Sequence, residues 1–503
     1  MTDKGYVKSR DIRAGAMCVL AAYAAFGFIF SDFGISAVYG AGLLCLWALA
    51  CGAAFLRRKA WKDIRFSLTD GAWLLFVLTV FVNILRIFDP SNRTVIYYFL
   101  ILGASSVIFW TRRGTGEKEI SAAKWILLGV ACLFAGVNVL YQIFPEPVKT
   151  VLKAIQTDTS TAYVLSHLKR GYGIPFGEDV GFTASLLSVG AAIACLELTE
   201  KNWKTRGPLA FFLVYGLFAM QRRGEAFVWV IAMVILHVFM LVQAGRNAFG
   251  LDRKTAAKRT LLRFACAVLA VVLLTAVVGT GRFGATAKLL LPEEKQEQAA
   301  ETTPAQTPTE ATIPAQTPTE ATTPVQVPTE EAAEPTAAQT VPTTPPVQEQ
   351  PDTEEAQTSD AVDRLAAYSN GRAGLWEAAW NCFLDSPVFG NGWGSYTLAI
   401  KGAGFGHATN AHNIYLQILC ETGIVGFVLI GGAFLTILVG IIRKLLAAGS
   451  LTEYQNTMLA AYLVLALLGL GVMDNPMYRV YWMIFVIMAM MITDPRQCTG
   501  QRE

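Results

Sequence analysis

The chain reads as an all-α polytopic membrane protein, and three observations predict that class. Hydrophobic residues fill 53% of its 503 positions, and mean hydropathy is +0.43. Charged residues fill only 16%, against roughly 25% in a soluble globular chain, so the polar surface for several water-facing domains is lacking. The apolar residues gather into about twelve runs, most of them near the 17–25 residues that cross a bilayer as a helix. The net charge of +3 is too small to imply a nucleic-acid partner.

The runs lie near 12–30, 35–56, 71–88, 95–110, 125–144, 181–198, 208–220, 226–242, 261–279, 413–441, 458–473 and 480–493. The pair 208–220 and 226–242, joined only by Gln221-Arg222-Arg223-Gly224-Glu225, is either a tight hairpin or one broken helix. Charge supports the number of spans. With the N-terminus inside, alternate connections carry clusters such as Lys4, Lys8, Arg10 and Arg13, then Arg57, Arg58 and Lys59, and later Arg253, Lys254, Lys258 and Arg259. The opposite connections are sparser, with Arg86 and Arg93, the pair Arg222 and Arg223, and Arg479. Short basic loops stay in the cytoplasm, which places both termini inside. The first run follows a basic start, as in a signal peptide, yet no small-residue cleavage site follows it. It is expected to be retained.

The predicted layout is helices 1–9 over 1–280, a large external loop over 281–412 between helices 9 and 10, helices 10–12 over 413–495, and an inner tail over 496–503. Within the loop, 292–360 is low-complexity and 369–412 is ordered, with short amphipathic helices. A ten-residue unit recurs as TTPAQTPTEA from Thr302, TIPAQTPTEA from Thr312 and TTPVQVPTEE from Thr322. Proline removes amide donors and no apolar residues offset the entropy of ordering, so an extended solvated tether is expected. It is either a tolerated insertion or an O-glycosylated stalk.

Of nine cysteines, Cys18, Cys45, Cys51, Cys132, Cys195, Cys266 and Cys420 fall in apolar runs and Cys498 in the tail, which leaves Cys382 alone outside. No CxxC spacing, no His-x-x-x-His pair and only four histidines argue against a metal site. Ionisable residues are scarce along the spans. His237 is the clearest, and a lone intramembrane histidine is more often a hydrogen-bonded packing residue than a proton relay.

Polar residues gather on the outer side in three places. In MQRRGEAFVWV (220–230), Arg222 and Arg223 sit where basic residues are disfavoured, beside Gly224. Their guanidinium forks suit phosphate oxygens, and headgroup anchoring is the plainer alternative. In 369–396, Leu375, Ala378, Ala379 and Phe383 are spaced as one face of a helix over 372–384, with Asn370 as N-cap and the glycine-rich turn FGNGWGSY after it. Arg372 then stands at the helix's positive end, where anions are favoured. The plainer alternative is a salt bridge to Glu377. In 407–432, His412 and Asn413 stand where the external segment returns to the membrane. Tyr415 shares the His412 face, Glu421 points nearly opposite, and Gly423, Gly426, Gly431 and Gly432 permit close helix packing. A neutral imidazole can accept a hydroxyl proton, and an interfacial structural histidine is the alternative.

Together these places resemble the O-antigen ligase and polymerase superfamily of bacterial membrane glycosyltransferases. The resemblance rests on His412-Asn413 followed after nine residues by Gly423-Ile424-Val425-Gly426, on Arg372 with Leu375-Trp376 and the later PVFGNGWGSY, and on Arg223-Gly224. It covers about 170–440 with motifs. RGYGIPFGEDVGF (170–182) is similar to a further family segment but carries Glu178-Asp179 where Pro-Asn is usual, so no substrate contact carries over there.

The resemblance implies a GT-C-like fold and an inverting, metal-independent transferase without a cofactor. It implies a glycan donor on undecaprenyl diphosphate, a glycan or lipid acceptor, and action at the outer face of the bacterial cytoplasmic membrane. Arg223 and Arg372, with Arg222 beside them, would hold the donor diphosphate, and His412 would activate the acceptor hydroxyl. Asn413, Tyr415, Gly423 and Gly426 would support them. Ligase-type transfer ranks ahead of polymerisation because the His-Asn motif is complete. A transporter for lipid-linked sugars would instead line a path through the spans with charges and show repeated halves, and neither is present in the sequence.

Overall fold

The computed structural model describes residues 37–57, 67–87, 93–110, 117–155, 158–175, 180–244, 252–279, 281, 283, 372–397, 400, 410–475 and 480–493. The apolar run at 12–30, the repeat tract, Asn370, Glu178-Asp179, Arg479 and the predicted inner tail lie outside them. Among the described residues every regular element is a helix.

In chain order these are α1 (Ala37–Arg57), α2 (Leu68–Ile87), α3 (Arg93–Trp110), α4 (Glu117–Ile143), α5 (Pro145–Ile155), α6 (Asp158–Lys169), α7 (Val180–Glu197), α8 (Trp203–Ala219), α9 (Arg223–Ala244), α10 (Arg253–Val278), α11 (Ala373–Asp385), α12 (Ile414–Ala447), α13 (Leu451–Gly471) and α14 (Val480–Thr493). Seven of them, α2, α4, α7, α9, α10, α12 and α13, are long and apolar enough to cross a membrane. Of the others, α8 has 17 residues and α14 has 14. The short helices α5 and α6 occupy a stretch where the sequence shows no apolar run. The hairpin-or-break question at 220–225 resolves into two helices that part at Gln221, whose φ is +54°.

Helix α7 forms the centre. Every residue from Val180 to Leu196 is buried, enclosed by α4, α8, α9 and α13. Its small residues let neighbours approach to backbone distance, as small-residue faces do between membrane helices. A Cβ at Gly190 would collide with Ala131 of α4. The outer helices reverse this pattern. On α9, Phe227, Ile231, Val234, Ile235 and Val238 are all exposed, an apolar face that only lipid suits, since the helical backbone satisfies its own polar groups.

At the C-terminal end of α7, basic side chains close over acidic groups and orphan carbonyls. Lys124 Nζ reaches Glu197 at 2.7 Å and Arg206 reaches it at 3.2 Å. Arg259 grips Glu200 with two 2.7 Å hydrogen bonds, and this pairing holds the Glu200 carboxyl down at about 2. Buried Arg263 donates to the carbonyls of Leu196 at 2.6 Å and Leu198 at 3.1 Å. Cations at a helix C-terminus complement its dipole. His237 joins this end of the bundle through Met233 O at 2.7 Å and the Arg263 guanidinium at 3.2 Å, which accounts for it as a hydrogen-bonded packing residue.

Candidate functional site

The opposite end of the same helices carries the arginines and histidine singled out in the sequence. Helix α8 runs from the basic end to Ala219, α9 starts back from Arg223, α13 ends at Gly471, and α12 starts at Ile414. The focus is the segment Val472–Asn475 that follows α13.

His412 and Asn413 reach it from the head of α12. Asn413 caps that helix, its Oδ1 accepting from Tyr415 N at 3.0 Å and Leu416 N at 3.1 Å. The Asn413 amide nitrogen turns to Val472 O at 3.3 Å. Just before the cap, His412 takes φ +48°, a left-handed conformation that a non-glycine residue adopts at a cost of about 1–3 kcal/mol. Two hydrogen bonds hold it, from His412 N to Asn410 Oδ1 at 2.9 Å and from Ala411 N to Gln417 Oε1 at 3.1 Å. The turn sets His412 Nδ1 3.4 Å from Asp474 Oδ1, within ion-pair range but without hydrogen-bond geometry. Among the described residues His412 and Gln221 are the only non-glycines with positive φ, and both lie here.

Arg222 follows Gln221. Its Nη2 lies 3.4 Å from Asp474 Oδ2 and its Nε 3.3 Å from Glu225 Oε1. Arg223 opens α9 beside it, half-buried. Gly224 has room for a Cβ among the surrounding protein atoms, where it would meet Met473 Sδ at 3.5 Å.

Arg372 arrives from α11. The helix starts at Ala373 with Arg372 itself as N-cap. Its Nη1 donates to Met473 O at 2.5 Å, and Glu377 is exposed on the far side of the helix. Burial pushes the Arg372 guanidinium below its usual range and the neighbouring Arg222 adds to this, whereas Asp474 and Glu225 oppose it. Arg222, Arg372 and His412, drawn from three distant parts of the sequence, thus converge on residues 472–475.

A backbone interlock fixes α11 to α12. Gly423, at φ +64° and ψ −170°, breaks α12. The turn Pro387–Gly392 fills the gap: Asn391 N and Gly392 N donate to Cys420 O at 2.9 Å and Glu421 O at 2.8 Å. In return Ile424 N and Val425 N donate to Pro387 O at 2.9 Å and Val388 O at 3.2 Å. A Cβ on Gly423 would strike the Val388 carbonyl. The two glycine-bearing motifs are therefore the halves of one joint. This corrects the expectation of helix-on-helix packing at the α12 glycines, because Gly431 and Gly432 have nothing within 4 Å of a built Cβ and the nearest atoms to one at Gly426 belong to Thr422 of its own helix. Gly423→Ala is accordingly expected to destabilise the protein by about 2 kcal/mol or more, whereas Gly431→Ala stays within about 0.5 kcal/mol. Melting in detergent reads both, and equal effects would sink the interlock.

Sequence reasoning missed Asp474, Asn475 and the buried network behind them. Asn475 Nδ2 bonds Gln417 Oε1, and Gln417 Nε2 donates to the fully buried Glu421 at 3.0 Å. The available signal was one carboxylate directly after an apolar run, on the side where the unexpected arginines gather. The Tyr415 hydroxyl donates to Leu468 O at 2.5 Å and ties α12 to α13.

Fold and site define a multi-pass membrane protein with a cationic, histidine-bearing cluster at one end of its bundle. Residues 208–431 match the family model described as O-antigen ligase. That segment, somewhat under half of the chain, is similar to the O-antigen ligase family. The match runs from α8 into α12 and takes in Arg222, Arg223, Arg372 and His412, while Asp474 lies beyond it. Comparison with curated proteins gives no match.

Proposed function

We propose that the protein transfers a glycan from undecaprenyl diphosphate to an acceptor hydroxyl at the outer face of the bacterial cytoplasmic membrane. The observation that carries this reading is the convergence of Arg222, Arg372 and His412 on Val472–Asn475. Such a cluster provides charge for a diphosphate and a base for an alcohol within one neighbourhood. In the proposed arrangement about twelve helices form a GT-C-like bundle with both termini cytoplasmic. The basic collar around Glu197 and Glu200 faces inward, and the 281–412 segment faces out.

His412 Nδ1 lies against Asp474, so a proton held there leaves Nε2 as the accepting nitrogen. The acceptor oxygen gives its proton to that nitrogen and attacks the anomeric carbon from the face opposite the diphosphate, inverting it. The bond to the diphosphate breaks and its negative charge grows. Arg372, Arg222 and Arg223 stabilise that charge in the position a metal ion holds in other phosphate chemistry. The gathering of Arg222, Arg372 and His412 at one end of the bundle favours this reading over a transporter.

Deleting the protein and analysing membrane lipid-linked glycans tests the proposal. A ligase predicts long chains left on their lipid carrier. Single lipid-linked units accumulating instead would assign polymerisation, and unchanged lipid-linked glycans would overturn both.

A further inference from the structure

Cys382 lies on the buried face of α11, and Cys420 lies in α12 just ahead of the break at Gly423. Both thiols are unbridged in this structure, and they are only 8% and 0% exposed. They belong to one small cluster, with Leu375, Ala379, Tyr396 and Ala411, that seals α11 against α12. The sequence leaves Cys382 without a partner because Cys420 reads as part of a membrane span; folded, both side chains sit in the same cluster, and the Asn391 amide donates to the backbone carbonyls of both residues. Asn391 frames the pair. Its Nδ2 lies 3.4 Å from Cys382 Sγ and 3.3 Å from Cys420 O, and its backbone N–H donates to the same carbonyl at 2.9 Å.

We propose that Cys382 and Cys420 form a disulfide that staples α11 to α12. The pairing rests on the functional reading above, since it needs this segment on the oxidising side of the membrane. The oxidant is a disulfide of the thiol-disulfide oxidoreductase class. The Cys382 thiolate attacks one oxidant sulfur and expels the other as a thiolate. Cys420, deprotonated, then attacks Cys382 Sγ and releases the first. Two protein thiols lose two electrons and two protons, and the oxidant ends as a dithiol. Burial of both sulfurs means that the exchange precedes final docking of α11. The staple then fixes Arg372, at the head of α11, relative to His412, just ahead of α12.

The test uses the full chain in native membranes. Free thiols are trapped in acid and blocked with N-ethylmaleimide, then the protein is denatured, reduced and treated with a maleimide-linked polyethylene glycol. The wild type is expected to show a gel shift by two adducts that depends on reduction. Cys382→Ser and Cys420→Ser are each expected to lose it. No reduction-dependent adduct in the wild type overturns the disulfide. A peptide tag placed within 293–360 and probed with antibody on intact spheroplasts separates the two failures. Free thiols with an accessible tag remove the disulfide alone, and a shielded tag removes the sidedness on which it rests.

Discussion

His412→Ala is expected to lower glycan transfer by about 10²–10⁴-fold, the usual worth of general-base help, while donor binding is retained. That corresponds to about 3–5 kcal/mol of barrier. The imidazole shares the Asp474 carboxylate with Arg222 but meets its other oxygen. Arg222 reaches Asp474 Oδ2 and Arg372 reaches Met473 O, whereas His412 meets Asp474 through Oδ1. Its loss should therefore appear in kcat with little change in the KM for donor. Because His412 sits at φ +48°, alanine adds some backbone strain to the loss of the base. His412→Asn is the cleaner companion, since asparagine tolerates the left-handed region and carries no base. Single-turnover transfer in membranes, beside donor retention on the same protein, separates the effects. Transfer within a few-fold of wild type in both variants would remove His412 from the chemistry.

What the sequence made legible, and what it hid, follows from the range of each interaction. Spans such as 226–242 and 458–473 were readable because a helix in lipid must be apolar along its whole length. Helix α11 was readable from its spacing alone. His412, Arg222 and Arg372 stood out because charge at a membrane surface is exceptional, yet their common meeting point at Val472–Asn475 was invisible. It lies 59 residues from Asn413 and 101 from Arg372, and no local period records a contact of that range. The glycines were misread for a related reason. A Gly-x-x-Gly spacing resembles a helix-packing face, and only the positive φ at Gly423 and the hydrogen bonds from Pro387–Gly392 show that it receives a loop. Helices α5 and α6 are amphipathic or polar and so escape a search for apolar runs.

Arg372→Lys keeps the charge and should still fail at the donor. The KM for lipid-linked glycan is expected to rise about 10–100-fold, with a smaller change in kcat. Arg372 does two things at once. One nitrogen is committed to Met473 O at 2.5 Å, which anchors the side chain to the segment that also meets His412, and under the proposed function the rest of the planar fork would face a phosphate. A lysine ammonium is a point donor on a flexible stem. It can keep the carbonyl or turn to the anion, and either choice forfeits about 1.4–2.8 kcal/mol of charge-assisted hydrogen bonding for that rise in KM. The site also places Arg222 close enough to disfavour the charged form of Arg372, with Asp474 and Glu225 offsetting it. An arriving diphosphate would relieve that repulsion, a gain that Arg372→Ala discards together with the anchor, so alanine should be worse than lysine. The opposite signature from His412, a KM effect at Arg372 against a kcat effect at the imidazole, is the discriminating result. Matching kinetic defects in the two variants would mean that they perturb one shared structure and do not divide donor binding from catalysis.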